Sequence, residues 1–225
     1  MADTPTDDPL LKEIDEELRQ EKYIELWRKY GTFIIAGVVA LIASVGGYQA
    51  WHSYMEESRQ TAGEQFERAT KLVQSGKRDN AVTAFAKLAE EGPSGYALLA
   101  KFEQAAILGR EGNKTSAAAI YRTIANDDSY NVTYRDLATL LGTLQEMESS
   151  DPVVLIQRLA PLTGADNPWR YTARELTGIL AYRKGDVDQA RSLFTALSND
   201  NLAPAGVRER SAAMMGILGT SAREG

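Results

Sequence analysis

The chain holds one histidine, His52, and no cysteine. A Ser-His-Asp triad partnered elsewhere or a multi-histidine metal site cannot be assembled around a lone imidazole that stands beside Trp51 at the edge of an apolar run. The missing thiols remove a cysteine nucleophile, a thiolate metal site and a disulfide framework. Carboxylates are what remain. Glu56-Glu57, Glu90-Glu91 and Asp127-Asp128 are adjacent in the chain, so on a helix the two members of each pair point about 100° apart and do not converge on a substrate. Glu103 and Glu175 are the candidates for an inward-facing pair supplied by separate helices. Gly112-Asn113-Lys114-Thr115 approaches a phosphate-cradling loop, but an asparagine separates the glycine from the lysine and no strand precedes it. The reading is a non-enzyme, with no cofactor and no metal.

The formal charge of −6 argues against nucleic acid as a partner, since such binders carry a basic stripe. The acid is concentrated at one end. Residues 1–30 contain nine Asp/Glu and five Lys/Arg, which leaves the remainder nearly neutral.

What must position any functional surface is first a membrane anchor. Gly31 to Trp51 is a run of 21 residues without charge, roughly 31 Å of helix against a hydrocarbon core of about 30 Å. The segment before it is long and acidic, unlike the short basic start of a cleaved signal, so the run is expected to stay as a single-pass anchor. Arg19, Lys22, Arg28 and Lys29 precede the run closely and only Arg59 follows it closely; cations near a span resist translocation, which keeps the N-terminus cytoplasmic. Tyr23, Trp27, Tyr30 and Phe33 at one end, and Tyr48, Trp51 and Tyr54 at the other, suit the two interfaces. Thr32, Ala36, Ala40, Ala43 and Gly47 lie along one stripe of the helix, a candidate packing face for another membrane helix. Leu10 to Tyr30 reads as a charged helix with Leu11, Ile14 and Leu18 on one stripe, continuous with the span and lying at the cytoplasmic interface.

The second positioning device is a repeat. Gly76-x4-Ala81-x3-Phe85-x2-Leu88, Gly112-x4-Ala117-x3-Tyr121-x2-Ile124 and Gly185-x4-Ala190-x3-Phe194-x2-Leu197 superimpose without gaps. Seven residues before each glycine stands a small residue, Ala69, Ala105 or Gly178. This pattern predicts helix hairpins: the small residue admits the second helix, the glycine supplies a left-handed turn, and the other three positions form a buried stripe. No single hairpin covers both of its faces, so the units must stack. Loop signals fall between them at Gly92-Pro93-Ser94, Asn126-Asp127-Asp128-Ser129, Ser149-Ser150-Asp151-Pro152, Asn167-Pro168 and Ser198-Asn199-Asp200-Asn201. Asp151-Pro152 and Asn167-Pro168 each read as an N-cap with proline at the first helical position. The pair from Tyr130 to Gly164 is degenerate, with Val153, Val154, Ile156 and Leu159 marking its apolar second helix. A last helix from Ala203 to Leu218 caps the array. The expected fold is all-α: a single N-terminal transmembrane helix followed by a TPR-like helical-hairpin solenoid, with a cytoplasmic segment over 1–30, the span over 31–51, the repeat domain over 52–220 and a tail over 221–225.

The repeat spacing resembles the tetratricopeptide repeat. Glu25-Leu26-Trp27-Arg28-Lys29-Tyr30-Gly31, the single span, Asn167-Pro168-Trp169-Arg170 and Ala203-Pro204-Ala205-Gly206-Val207-Arg208 extend the likeness, and the whole chain is similar to the YfgM-like family, the ancillary subunit of the SecYEG translocon, in its alphaproteobacterial form. The resemblance implies an inner-membrane protein with periplasmic repeats, associated with translocon subunits and a periplasmic chaperone or isomerase, helping exported proteins fold.

First helices of such arrays line a concave groove, here expected to present Phe66, Thr70, Gln74, Phe102, Arg110, Glu175, Tyr182 and Arg183. The leading expectation is a tethered scaffold that docks chaperones or emerging chains near the translocon. The alternative is an envelope-assembly or cell-division coordinator acting through repeat-mediated self-association, as a homo-oligomer.

Overall fold

Between Pro9 and Pro93 the sequence has no proline, so nothing forces the backbone out of helix across the apolar run or beyond it. In the structure, a computed structural model that describes the backbone of residues 9–221 and the side chains of 24–219 other than Leu26, one helix, α1, runs from Pro9 to Gln74. The first helix of the first hairpin is therefore the C-terminal part of α1. The side chains of the Leu11, Ile14 and Leu18 stripe lie outside the described residues, as does the tail apart from the backbone of Ser221. The chain divides into two compact units, Met1–Ser58 and Arg59–Gly225.

In the first unit the apolar side chains have no protein cover. Phe33, Leu41, Ile42 and Val45 are all more than half exposed. Within Trp27–Gln74 the most apolar window has a mean hydropathy of 1.9 and only 6% of it is buried. That combination separates it from the core helix of a soluble domain, and it is long and apolar enough to cross a membrane.

The second unit is a succession of helices after α1: α2 Arg78–Glu91, α3 Ser94–Arg110, α4 Lys114–Ala125, α5 Val132–Glu146, α6 Pro152–Leu159, α7 Arg170–Arg183, α8 Val187–Asn199 and α9 Ala205–Ser221, with a 3-10 turn over Ala160–Thr163 after α6. No strand occurs among the described residues. Gly76, Gly112 and Gly185 have φ of 77°, 85° and 87°. Each closes its hairpin in the same way. Gly76 N–H donates to Val73 and Lys77 N–H to Leu72; Gly112 to Gly109 and Asn113 to Leu108; Gly185 to Tyr182 and Asp186 to Ala181. This pair of bonds is the Schellman motif, which satisfies the last carbonyls of a helix and needs a residue at ease with positive φ. The residue after the glycine then begins the next helix. Asn113 accepts from Ser116 N–H and Asp186 from Gln189 N–H, while Lys77 makes no side-chain cap.

All nine stripe positions of the three repeats are buried, none above 3% exposure. Four apolar clusters follow one another along the unit: Phe85 and Leu88 with Ala69 and Ile107; Tyr121 and Ile124 with Ala105 and Ala138; Leu155 and Leu159 with Leu140 and Leu180; Phe194 and Leu197 with Tyr171 and Val207. Each cluster joins a helix pair to the first helix of the next pair. That is the stacking the hairpins require. At Gly178 an added Cβ would sit 2.9 Å from Phe194 Cζ, so here only glycine lets the two helices come this close.

The degenerate pair departs from the sequence reading. Val153 and Val154 are 43% and 50% exposed, whereas Leu155 and Leu159 are fully buried. Asp151 caps Val153 N–H and Pro152 occupies the first turn, which fixes the register so that positions 155, 159 and 162 turn inward and the first-turn valines face out. Pro161 ends α6, because it has no N–H for the helix ladder. Asn167 Oδ1 accepts from Trp169 N–H at 2.8 Å, yet α7 starts at Arg170, after the turn closed by Arg170 N–H on Asn167 O at 3.2 Å. The last helix likewise begins at Ala205, with Ala203 buried in the turn before it.

Candidate protein-docking surface

The eight groove candidates come from α1, α3 and α7, and the structure gives them different surroundings. Phe66, Phe102 and Glu175 each stand ten residues before their turn glycine, and that position faces a neighbouring helix. Phe66 packs edge-on to Phe85 with ring centroids 5.3 Å apart and lies 6.2 Å from Tyr96; Phe102 lies 6.0 Å from Tyr121. Glu175 is 5% exposed. Arg210 of α9 grips its carboxylate bidentately, Nε to Oε1 at 2.6 Å and Nη2 to Oε2 at 2.7 Å. This hydrogen bond raises the Arg210 guanidinium pKa above its ordinary value, and it occupies the one deeply buried carboxylate of the pair that sequence suggested for acid chemistry. Glu103, the other member, is half-buried on α3.

Thr70 is half-buried and its hydroxyl donates to Phe66 O at 2.9 Å. Tyr182 packs against the cluster formed by α7, α8 and α9. Arg183 is exposed yet engaged: its Nη1 donates to the carbonyls of Met147 and of Ser150, the latter at 2.7 Å. Gln74 and Arg110, both two residues before a turn glycine, remain as exposed surface. On the span, Thr32, Ala36, Ala40, Ala43 and Gly47 are all exposed, and a Cβ added at Gly47 would meet nothing within 4 Å.

A second feature was not marked by the sequence. Glu146, at the end of α5 with its side chain 16% exposed, accepts from Arg122 of α4 at 2.7 Å and also from Arg158 of α6. These arginines border a cleft of 220 Å³ whose walls include Ala118, Asn126, Thr139 and Gly142. An adjoining cleft of 240 Å³ shares Ala118 and Arg122 and continues to Lys114, Gln145 and Ser149. Lys114 donates to Glu148 at 2.7 Å, which holds the Glu148 pKa below the usual carboxylate range. The residues that meet here lie far apart in sequence, 24 positions between Arg122 and Glu146, so no local spacing announces them. Among the described residues no group of three or more His, Cys, Asp or Glu is placed to hold a metal ion.

The geometry so far is that of stacked helix hairpins with side-chain surfaces between them, a repeat architecture of the kind that binds other proteins. The tetratricopeptide repeat-like domain model matches residues 25–204, and the chain belongs to that family. No curated protein and no solved structure matches it.

Proposed function

We propose that the protein is a membrane-anchored scaffold. Residues 31–51 hold it in the inner membrane with residues 1–30 in the cytoplasm, and the repeat domain over 52–220 faces the periplasm, where it docks translocon subunits, periplasmic chaperones or isomerases, and emerging exported chains. The observation that carries this reading is the pairing of an uncovered apolar helix with a stacked repeat array inside one family match, which begins at residue 25, before the apolar run. An anchor beside the translocon turns a bimolecular encounter into an intramolecular one, so weak docking suffices. The surface does no covalent chemistry on this reading, and Gln74 and Arg110 are its open contact points on the first helices.

Photo-crosslinkers placed at Gln74 and Arg110 in intact membranes, read by mass spectrometry, test it. Adducts with translocon subunits or a periplasmic chaperone are the expected result. A second reading is an envelope-assembly or cell-division coordinator acting through repeat-mediated self-association, to which the exposed small-residue stripe on the span would add by close packing of two membrane helices. Adducts only with a second copy or with division proteins would favour it. Reporter fusions that place the repeats in the cytoplasm would defeat both.

A further inference from the structure

The Arg122–Glu146–Arg158 cluster leaves most of its hydrogen-bonding capacity unused. A guanidinium carries five N–H donors in a fixed fork, and among the described residues Glu146 is the sole hydrogen-bond or ion-pair partner of the Arg122 and Arg158 guanidinium groups. One carboxylate therefore aims two cations at the same cleft without neutralising both. The neighbouring Lys114–Glu148 pair is balanced, so the cleft keeps a net positive charge. We propose that it binds an acidic, extended peptide segment of a partner protein, with a carboxylate of that segment received by Arg122 and Arg158.

Shape supports a peptide over a compact anion. The cleft beside the arginines is lined by the small residues Ala118, Ala138 and Gly142 and bordered by Asn126, whose amide can meet a peptide backbone, and by Thr139, whose hydroxyl donates to Arg135 O and can still accept. Beyond Arg122 the path continues into the second cleft past Gln145 and Ser149. Two clefts that share Ala118 and Arg122 offer more room than one compact anion needs and suit a chain that occupies both. Arg122 and Arg158 belong to second helices of their pairs, so this surface is separate from Gln74 and Arg110. The proposal rests on the docking reading for its class of partner and not for the partner's identity.

The test uses the full chain in detergent micelles and a fluorescent Asp/Glu-rich peptide, followed by anisotropy beside its Asn/Gln counterpart. The acidic peptide should bind at least about tenfold more tightly, and its affinity should fall with added salt. Arg122→Gln or Arg158→Gln should each weaken it about tenfold. Glu146→Gln removes the competing carboxylate and should strengthen it, the opposite of what a purely structural cluster predicts. Asn126→Trp covers the mouth of the cleft from an exposed position and leaves the Arg–Glu bonds in place; it should abolish binding without changing the helical circular-dichroism melt, which keeps the test decisive if the arginine variants fail to fold. Equal binding of the neutral peptide, no binding of the acidic one, or an unchanged affinity in Asn126→Trp overturns the proposal. So does displacement of the peptide by phosphatidylglycerol vesicles but not by neutral ones, which would assign the arginines to lipid. Because the assay needs no translocon, its failure is distinguishable from failure of the crosslinking experiment.

Discussion

The hairpins α1–α2, α3–α4 and α7–α8 turn on a glycine at positive φ, with the closing hydrogen bonds supplied by the turn itself. The pair α5–α6 has no such glycine. Its connection over 147–151 closes on itself through Ser149 and Ser150 N–H on Glu146 O, and it is also held from outside by Arg183 on the carbonyls of Met147 and Ser150 and by Arg122 on the Glu146 carboxylate, which Arg158 of α6 shares. In the first case closure is complete within consecutive residues; in the second it is shared with neighbouring helices. The difference teaches that a repeat can lose its signature and keep its place in the stack, provided long polar side chains from adjacent units satisfy the orphaned helix end.

The comparison is open to direct attack. Phe194 is fully buried in a glycine-turned hairpin, and Phe194→Ala should cost about 3–5 kcal/mol; hydrogen exchange should show the lost protection centred on α7, α8 and α9. Gly112→Ala places a side chain at φ 85° and should cost about 1–2 kcal/mol in thermal or denaturant unfolding, whereas Ser149→Gly in the other kind of turn should bring no gain. Arg183→Gln should cost about 1 kcal/mol, since the guanidinium is solvent-exposed, with amide exchange quickening in residues 147–151 and not at Gly185. Lys77 stands where Asn113 and Asp186 supply caps and has nearly their backbone angles. Lys77→Asp should therefore raise stability by about 0.5–1 kcal/mol, and a loss instead would show that the three turns are not equivalent.

What could be read from the sequence follows the same division. Gly, Ala, aromatic and aliphatic positions lie within a dozen residues of one another, so helical periodicity alone places them, and their burial is as the spacing predicts. The face at Phe66, Phe102 and Glu175 was harder to read, because whether a side chain ten residues before the turn meets solvent or the next helix depends on how pairs stack. Arg210 and Glu175 are 35 positions apart and Arg183 reaches back 36 to Met147; neither separation matches a local period. Val153 and Val154 misled for another reason. Four apolar residues in a row carry no face of their own, and the cap at Asp151 decides which of them turn inward.

Since the α5–α6 pair leans on Arg122 from the preceding pair and on Arg183 from the following one, excising it would strip its turn of that support, while a glycine-turned hairpin keeps its turn hydrogen bonds. A client that grips α4 and α6 together would act as a splint across the α5–α6 pair.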